Sequence, residues 1–345
     1  MWGVAPWHHR AVATPGEAMQ PLPYNLFSQW LRDRFGEKVY KVTLDAGFDC
    51  PNRDGTRARG GCTFCDASGS SAQVSPPATP LAEQLRLGME GWFRKSGGQA
   101  RKFIAYYQAF TNTHGPLDRL REVYRVGVEH PEVVGIAIGT RPDCVGEPVL
   151  DLLSEIAQQK YLWVEYGLQS ASNETLARIN RAHTVEEFVD AVERTRKRGI
   201  EVCAHLIHGL PGDSHAMMMR SVDLLAELGV EGVKIHSLHI VKGSIMAGQY
   251  LRGEIPLMSQ QEYVSWVADS LERLPWTMKI HRLTGDALPH LLVAPEWSRN
   301  KLAVLNAIQA ELRRRGTRQG SAYEQLRSVS PSEPFAGEGV GSGRR

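Results

Sequence analysis

Six short apolar runs, each followed by a segment of helical period, constrain this chain more than any other feature of its sequence. The runs fall at 39–44, 103–109, 133–138, 162–168, 202–207 and 233–240. Between them, apolar residues recur at helical spacing over roughly 79–95, 116–129, 146–159, 184–198 and 214–229. Pro80 and Pro116 stand where helices start, and Gly199, Gly229 and Gly232 where they stop. Strand–helix repetition of this kind predicts parallel strands joined by right-handed crossovers. Six units are too few for a closed eight-fold barrel and enough for an α/β fold built as a partial (β/α)6 barrel; a doubly wound sheet is the alternative. Either architecture places its chemistry at the carboxyl ends of the strands, so the residues just after each strand carry the information.

The barrel is expected to occupy residues 22–245. Residues 246–325 carry two more helical segments, near 259–273 and 298–315, and a possible strand at 276–280, which together predict a C-terminal α/β extension. The ends, 1–21 and 326–345, are rich in Pro, Gly, Ala and Ser without periodicity and are expected to be disordered. With 40 Lys+Arg against 38 Asp+Glu, the net charge of +2 creates no field that would favour a polyanion over the whole surface. No apolar run approaches the roughly 18 residues of a membrane span, and residues 1–21 lack a signal-peptide core. Five cysteines are too few, and odd in number, for a secreted disulfide framework. A cytoplasmic protein with reduced thiols and no membrane partner is expected.

Three of those cysteines, Cys50, Cys62 and Cys65, lie within sixteen residues directly after the first strand, on a loop of Gly, Pro and Asn. Thiolates are soft ligands that select zinc, Cu(I) or iron–sulfur clusters. A closed zinc site needs four ligands, and the next histidine, His114, lies beyond another predicted strand. Three thiols therefore suggest a 4Fe–4S cluster with one iron left open, to which S-adenosylmethionine (SAM) can bind. A zinc knuckle completed by a distant His, in a non-catalytic RNA-binding protein, and a redox CxxC pair are the competing readings.

The stretch LDAGFDCPNRDGTRARGGCTFC, with YYQAFTNTHG, IGTRPD, EYGLQSASNETLARINRAHT, HLIHGLPG and HRLTGDA, resembles the YhcC/YtqA group of radical SAM proteins. That group is similar to the radical SAM domain of the Elongator catalytic subunit and, more remotely, to oxygen-independent coproporphyrinogen oxidase. The resemblance implies an enzyme that takes an electron from a low-potential donor and cleaves SAM reductively to a 5′-deoxyadenosyl radical. It also implies roles for particular residues. Cys50, Cys62 and Cys65 match the cluster ligands, and Phe64 the aromatic beside cluster and adenine. Thr111, Asn112 and Thr113 stand where relatives receive the methionine amino group, although they also read as an ordinary helix cap. Gln169 matches a ribose or methionine contact, Arg181 an arginine that pairs with the SAM carboxylate, and Gly209 the turn that approaches the adenine.

One departure concerns Gly139, where the Elongator-like pattern has an acid; Glu165 either takes the missing ribose contact or points into the barrel wall. Cys203 reads as a small buried hydrophobe, and Cys144 as either a buried thiol or a catalytic one.

For the substrate, the resemblance admits a tRNA wobble uridine, hence tRNA as a partner, or a small-molecule or tetrapyrrole substrate. The sequence ends before any acetyl-CoA-using domain, so the Elongator addition itself is not expected. Arg53, Arg57 and Arg59, then Arg194, Arg196, Lys197 and Arg198, then Arg313, Arg314, Arg315 and Arg318, form runs that either bind phosphate or solvate helix faces. Lys279, His281, Arg282 and Asp286, in a polar stretch expected beyond the barrel, either contact the substrate or form a salt-bridged interdomain loop.

Overall fold

The computed structural model describes residues 21–69, 79–285 and 287–324. Seven strands form one parallel sheet: β1 (Val39–Leu44), β2 (Lys102–Tyr107), β3 (Val133–Thr140), β4 (Tyr161–Gln169), β5 (Glu201–His208), β6 (Gly232–Ser237) and β8 (Lys279–Arg282), adjacent in that order. Each neighbouring pair is parallel. The sheet curls into an open barrel. Helices α2 (Leu81–Lys95), α3 (Leu117–Glu129), α4 (Glu147–Ala157), α6 (Val185–Lys197) and α7 (His215–Leu228) cover its outside, and a short α5 (Asn173–Arg178) follows β4.

Alternation along each strand divides the molecule into two interiors. In β1, Tyr40, Val42 and Leu44 point outward into the core beneath the helices, and Lys41 points into the lumen, against aromatic rings from β2, β4 and the first helix. That first helix, α1 (Phe27–Phe35), packs on both β1 and β8, the two edges of the sheet, and so spans the gap in the barrel. Its Phe27 enters the lumen, stacked on His281 with ring centroids 3.7 Å apart and edge-on to Trp163. These rings form an aromatic floor at the amino ends of the strands.

Helix starts follow the local sequence. Ser172, Thr184 and Ser214 each accept a backbone N–H of the first turn, and Thr184 with Glu187 closes a capping box. Gly36 and Gly229 end helices in the left-handed conformation.

Two expectations change. The last apolar run, 233–240, stops at Ser237, and Ile240–Val241 forms a separate strand, β7, antiparallel to β9 (Leu292–Ala294). The possible strand near 276–280 is β8, which lies in the barrel sheet beside β6 as its seventh strand rather than beyond it. At four residues, β8 is too short to show periodicity, and its position depends on long-range pairing. Helices α8 (Ile245–Leu251), α9 (Gln260–Arg273) and α10 (Lys301–Arg315) complete the chain, α9 packing on both α7 and α10. The ends expected to be disordered lie outside the described residues, apart from Pro21.

Candidate functional site

The cysteine loop leaves the carboxyl end of β1 and folds back on itself. The backbone amides of Arg53 and Asp54 donate to the Cys50 carbonyl at 2.7 and 3.1 Å, and Gly61 donates to the Asn52 carbonyl at 2.8 Å. It then docks on the turn after α5. Thr63 N–H donates to Ile179 O at 3.0 Å, and the Asn180 amide reaches the carbonyls of Arg59 and Gly61. This places Cys62, buried at 4% exposure, against two side-chain donors: Asn52 Nδ2 at 3.4 Å and Arg181 Nη1 at 3.5 Å. A hydrogen bond from the Cys65 thiol, then the charges of Arg181 and Arg141, hold the Cys62 thiol well below its ordinary pKa despite burial. A depressed thiol in a cationic pocket is a ligand ready for metal.

Arg181 is positioned by β4. Its Nη2 donates to the Gly167 carbonyl at 3.0 Å and its Nε to His183 Nε2 at 3.0 Å. His183 donates from Nδ1 to the Thr184 carbonyl, which leaves Nε2 as the acceptor. Burial first, then Arg181 and Arg141, push His183 down to about 3, so it is neutral. A Cβ at position 167 would lie 2.6 Å from Arg181 Nη2 and 2.4 Å from Gln169 Nε2, so only glycine admits this packing. Arg141 forks onto Asp143 at 2.8 and 2.9 Å and donates to the Arg181 carbonyl, and Arg57 closes on Asp143 from the loop at 3.2 Å. Asn52, Arg141, Asp143 and His183 were not singled out as site residues from the sequence. Arg141 and Asp143 follow a strand end, a position that could have marked them.

The other expected residues lie at the same mouth. Thr111, Asn112 and Thr113 are buried after β2; Asn112 N–H and Nδ2 both donate to Gly139 O, and Thr113 Oγ1 meets Thr140 Oγ1 at 2.5 Å. Thr111 Oγ1 and Asn112 Oδ1 are buried with no partner, as oxygens awaiting an amino group would be. Gln169 ends β4 with φ +74°, a strained conformation for a residue with a side chain. Gly209 follows β5 at φ +88°, where a Cβ would meet Met258 Sδ at 2.9 Å. Phe64 packs against the apolar cluster of Leu176, Ile207 and Leu210.

Several expectations are corrected. Lys279 is the first residue of β8, at the floor of the barrel, buried over Trp30 and paired with Glu201 at 2.6 Å, so it faces away from the mouth. His281 is stacked in the same floor. Arg282 lies opposite Lys234 in the β6–β8 register, half-buried. Asp286 lies outside the described residues. Glu165 does not take the ribose role, because its carboxylate is held inside the lumen by Tyr106, Trp163, His205 and Lys234. Burial, then Asp143, pushes the Cys144 thiol up to about 12, so it is no nucleophile at neutral pH. Cys203 is buried, as expected, although it faces the lumen. The basic runs are largely spent on acids: Arg57 on Asp143 and Glu187, Arg194 and Arg198 on Glu147, Arg196 on Glu231, and Arg314 and Arg315 on Glu311.

The cationic pocket and the depressed thiol suit a thiolate-bound, negatively charged metal group.

The family model of the Radical SAM superfamily matches residues 53–225, and that of the Radical_SAM C-terminal domain matches residues 230–314. The uncharacterized protein YtqA of Bacillus subtilis (strain 168) is 47% identical over 311 residues, which cover 89% of this chain and 95% of YtqA. This chain is a radical SAM protein. Protein YhcC of Escherichia coli (strain K12) is 40% identical over 299 residues, covering 86% of this chain and 94% of YhcC. The cofactors of the radical SAM family are a 4Fe–4S cluster and SAM. A tRNA uridine(34) acetyltransferase of Methanocaldococcus jannaschii is 26% identical over 156 residues, 44% of this chain and 28% of that protein. Among solved structures, archaeal Elp3 from Methanocaldococcus infernus shares the fold with a TM-score of 0.62 at 18% identity, over 81% of this chain and 64% of that one. No helix among the described residues is long and apolar enough to cross a membrane.

Proposed function

We propose that this radical SAM protein is an enzyme acting on a tRNA uridine, at the wobble position, by hydrogen abstraction from a substituent the base already carries. The observation that carries the radical part is the Cys62 thiol, held low by Cys65, Arg181 and Arg141 at the carboxyl mouth of the barrel. Cys50, Cys62 and Cys65 would hold the cluster, and Thr111 and Asn112 would accept the amino group of SAM. When bound, cluster and cofactor supply one-electron reductive cleavage of the sulfonium, fed by a low-potential donor.

The chain's own residues do the rest. Arg181 balances thiolate charge while anchored on Gly167 and His183. Arg141, tied to Asp143, fixes the backbone of Arg181. Gln169 and Gly209 would border the adenosine, and Phe64, packed on Leu176, Ile207 and Leu210, would keep water from it. The tRNA part is supported by the relation to the tRNA uridine(34) acetyltransferase. Its test is nucleoside profiling of tRNA from a strain lacking the gene: a changed modified uridine, restored by the gene and not by a Cys62→Ala copy, is expected. An unchanged profile would contradict it.

A small-molecule or tetrapyrrole substrate is the second reading. It is favoured by the internal pairing of the basic runs, which leaves fewer cations for a phosphate backbone. Salt-sensitive retention of RNA on the purified protein would argue against it.

A further inference from the structure

Asn52 is fully buried, two residues past Cys50 on the same loop, and its side chain is committed to one orientation. Nδ2 carries two hydrogens and meets two acceptors, the Asn180 carbonyl and Cys62 Sγ, the latter at 3.4 Å. Exchanging the oxygen and nitrogen of the amide would set Oδ1 against a carbonyl oxygen and a sulfur, so the surroundings fix which end faces Cys62. That orientation leaves Oδ1 buried with no partner among the described residues. A buried acceptor without a partner costs free energy, and such an atom needs a reason. Here the reason is the donor at the other corner of the same amide.

Arg181 brings a second N–H to the same sulfur, from Nη1 at 3.5 Å. The two donors are tied together. Asn180, next to Arg181 in the chain, accepts from Asn52 through its carbonyl, and its own amide donates to the loop at Gly61 O (2.7 Å) and Arg59 O (3.0 Å). It does so at φ +51°, in the left-handed conformation. Loop and turn therefore close as one unit around Cys62, which is 4% exposed, so little water competes for its sulfur. Hydrogen bonds to a ligating sulfur draw charge from it and favour the state with one more electron, which is how such outer partners set the potential of an iron–sulfur group.

We propose that Asn52 is a positioning residue for electron uptake: together with Arg181 it donates to the Cys62 sulfur and raises the reduction potential of the cluster held there. This rests on the radical SAM reading of the cysteine loop and adds the residue that tunes it. Asn52 acts through Cys62.

The test is anaerobic reconstitution of the full chain as wild type, Asn52→Leu, Asn52→Asp and Asn180→Gly. Iron and sulfide are counted, and each cluster is titrated potentiometrically with electron paramagnetic resonance as the readout. Asn52→Leu keeps the bulk and removes the donor. It should bind as much iron as wild type and be harder to reduce by about tenfold in the equilibrium, about 59 mV lower for one electron. Asn52→Asp, of nearly the same shape, cannot supply both N–H bonds and should move the same way. Asn180→Gly suits the left-handed backbone, removes the two clamps on the loop and leaves both donors to sulfur. Its apoprotein should melt lower, while its cluster should keep the wild-type potential. Equal potentials in wild type and both Asn52 variants overturn the proposal. An equal shift in Asn180→Gly does so too, because a loosened loop would then be the cause. Iron lost from both Asn52 variants and retained by Asn180→Gly would reduce Asn52 to scaffolding, which also overturns it. Wild type that takes up no iron would strike the radical reading itself, and the proposal with it.

Discussion

Lys41 shows how far burial can move a single side chain. It is packed among Phe27, Tyr106 and Trp163, and its pKa of about 7 lies below the ordinary 10.5. The groups facing it are Lys234, Glu165, Cys203, Arg282 and Tyr106; the carboxyl is held below that interval and the thiol and phenol are pushed above it. Between those two values the unfolded chain binds a proton that the folded chain has released. Stability should therefore rise with pH across that window, by at most about 1.4 kcal/mol per unit, with the full penalty present below pH 7. Denaturant unfolding at pH 7 and pH 9 checks this: the rise should be present in wild type and flattened in Lys41→Met. A slope that survives the substitution would place its origin elsewhere. The residue was also legible in principle. Lys41, His205, Lys234 and His236 interrupt apolar strands at alternate positions, and such interruptions mark an inward face that carries charge. A reading confined to the residues after each strand passes over them.

At the scale of elements, hydrophobic period located the six central strands and their helices to within a few residues, because each buries its own outward face. It did not place β8. The four residues Lys279–Arg282 carry two cations and a histidine, so they resemble a polar substrate loop, and only parallel pairing with β6 shows that Lys279 is part of the floor. The Lys279–Glu201 pair gives the distinction a measurable form. Removing one partner from a pair this enclosed should cost about 2 kcal/mol, less than a fully buried pair because Glu201 is partly exposed. Lys279→Met should thus lower the unfolding midpoint while leaving 5′-deoxyadenosine formation within about twofold of wild type. Lost turnover at unchanged stability would return Lys279 to the substrate.

For the whole molecule, the open barrel sets charge at two levels along one axis. Its carboxyl mouth gathers Cys62, Cys65, Arg141 and Arg181 around a depressed thiol, and its lumen holds charge a strand pleat below. The cysteine motif and its place after the first strand were enough to expect the mouth, since the ligands lie close in sequence. The lumen was hidden because its members come one or two from each of six strands and meet only when the sheet curls. The radical assignment is the claim on which the rest depends. The most direct measurement is 5′-deoxyadenosine after anaerobic reconstitution with iron and sulfide, reduction with dithionite and addition of SAM. Wild type should produce it, and Cys62→Ala should lose at least about a hundredfold. Equal product from both would contradict the cysteine loop as the seat of the chemistry.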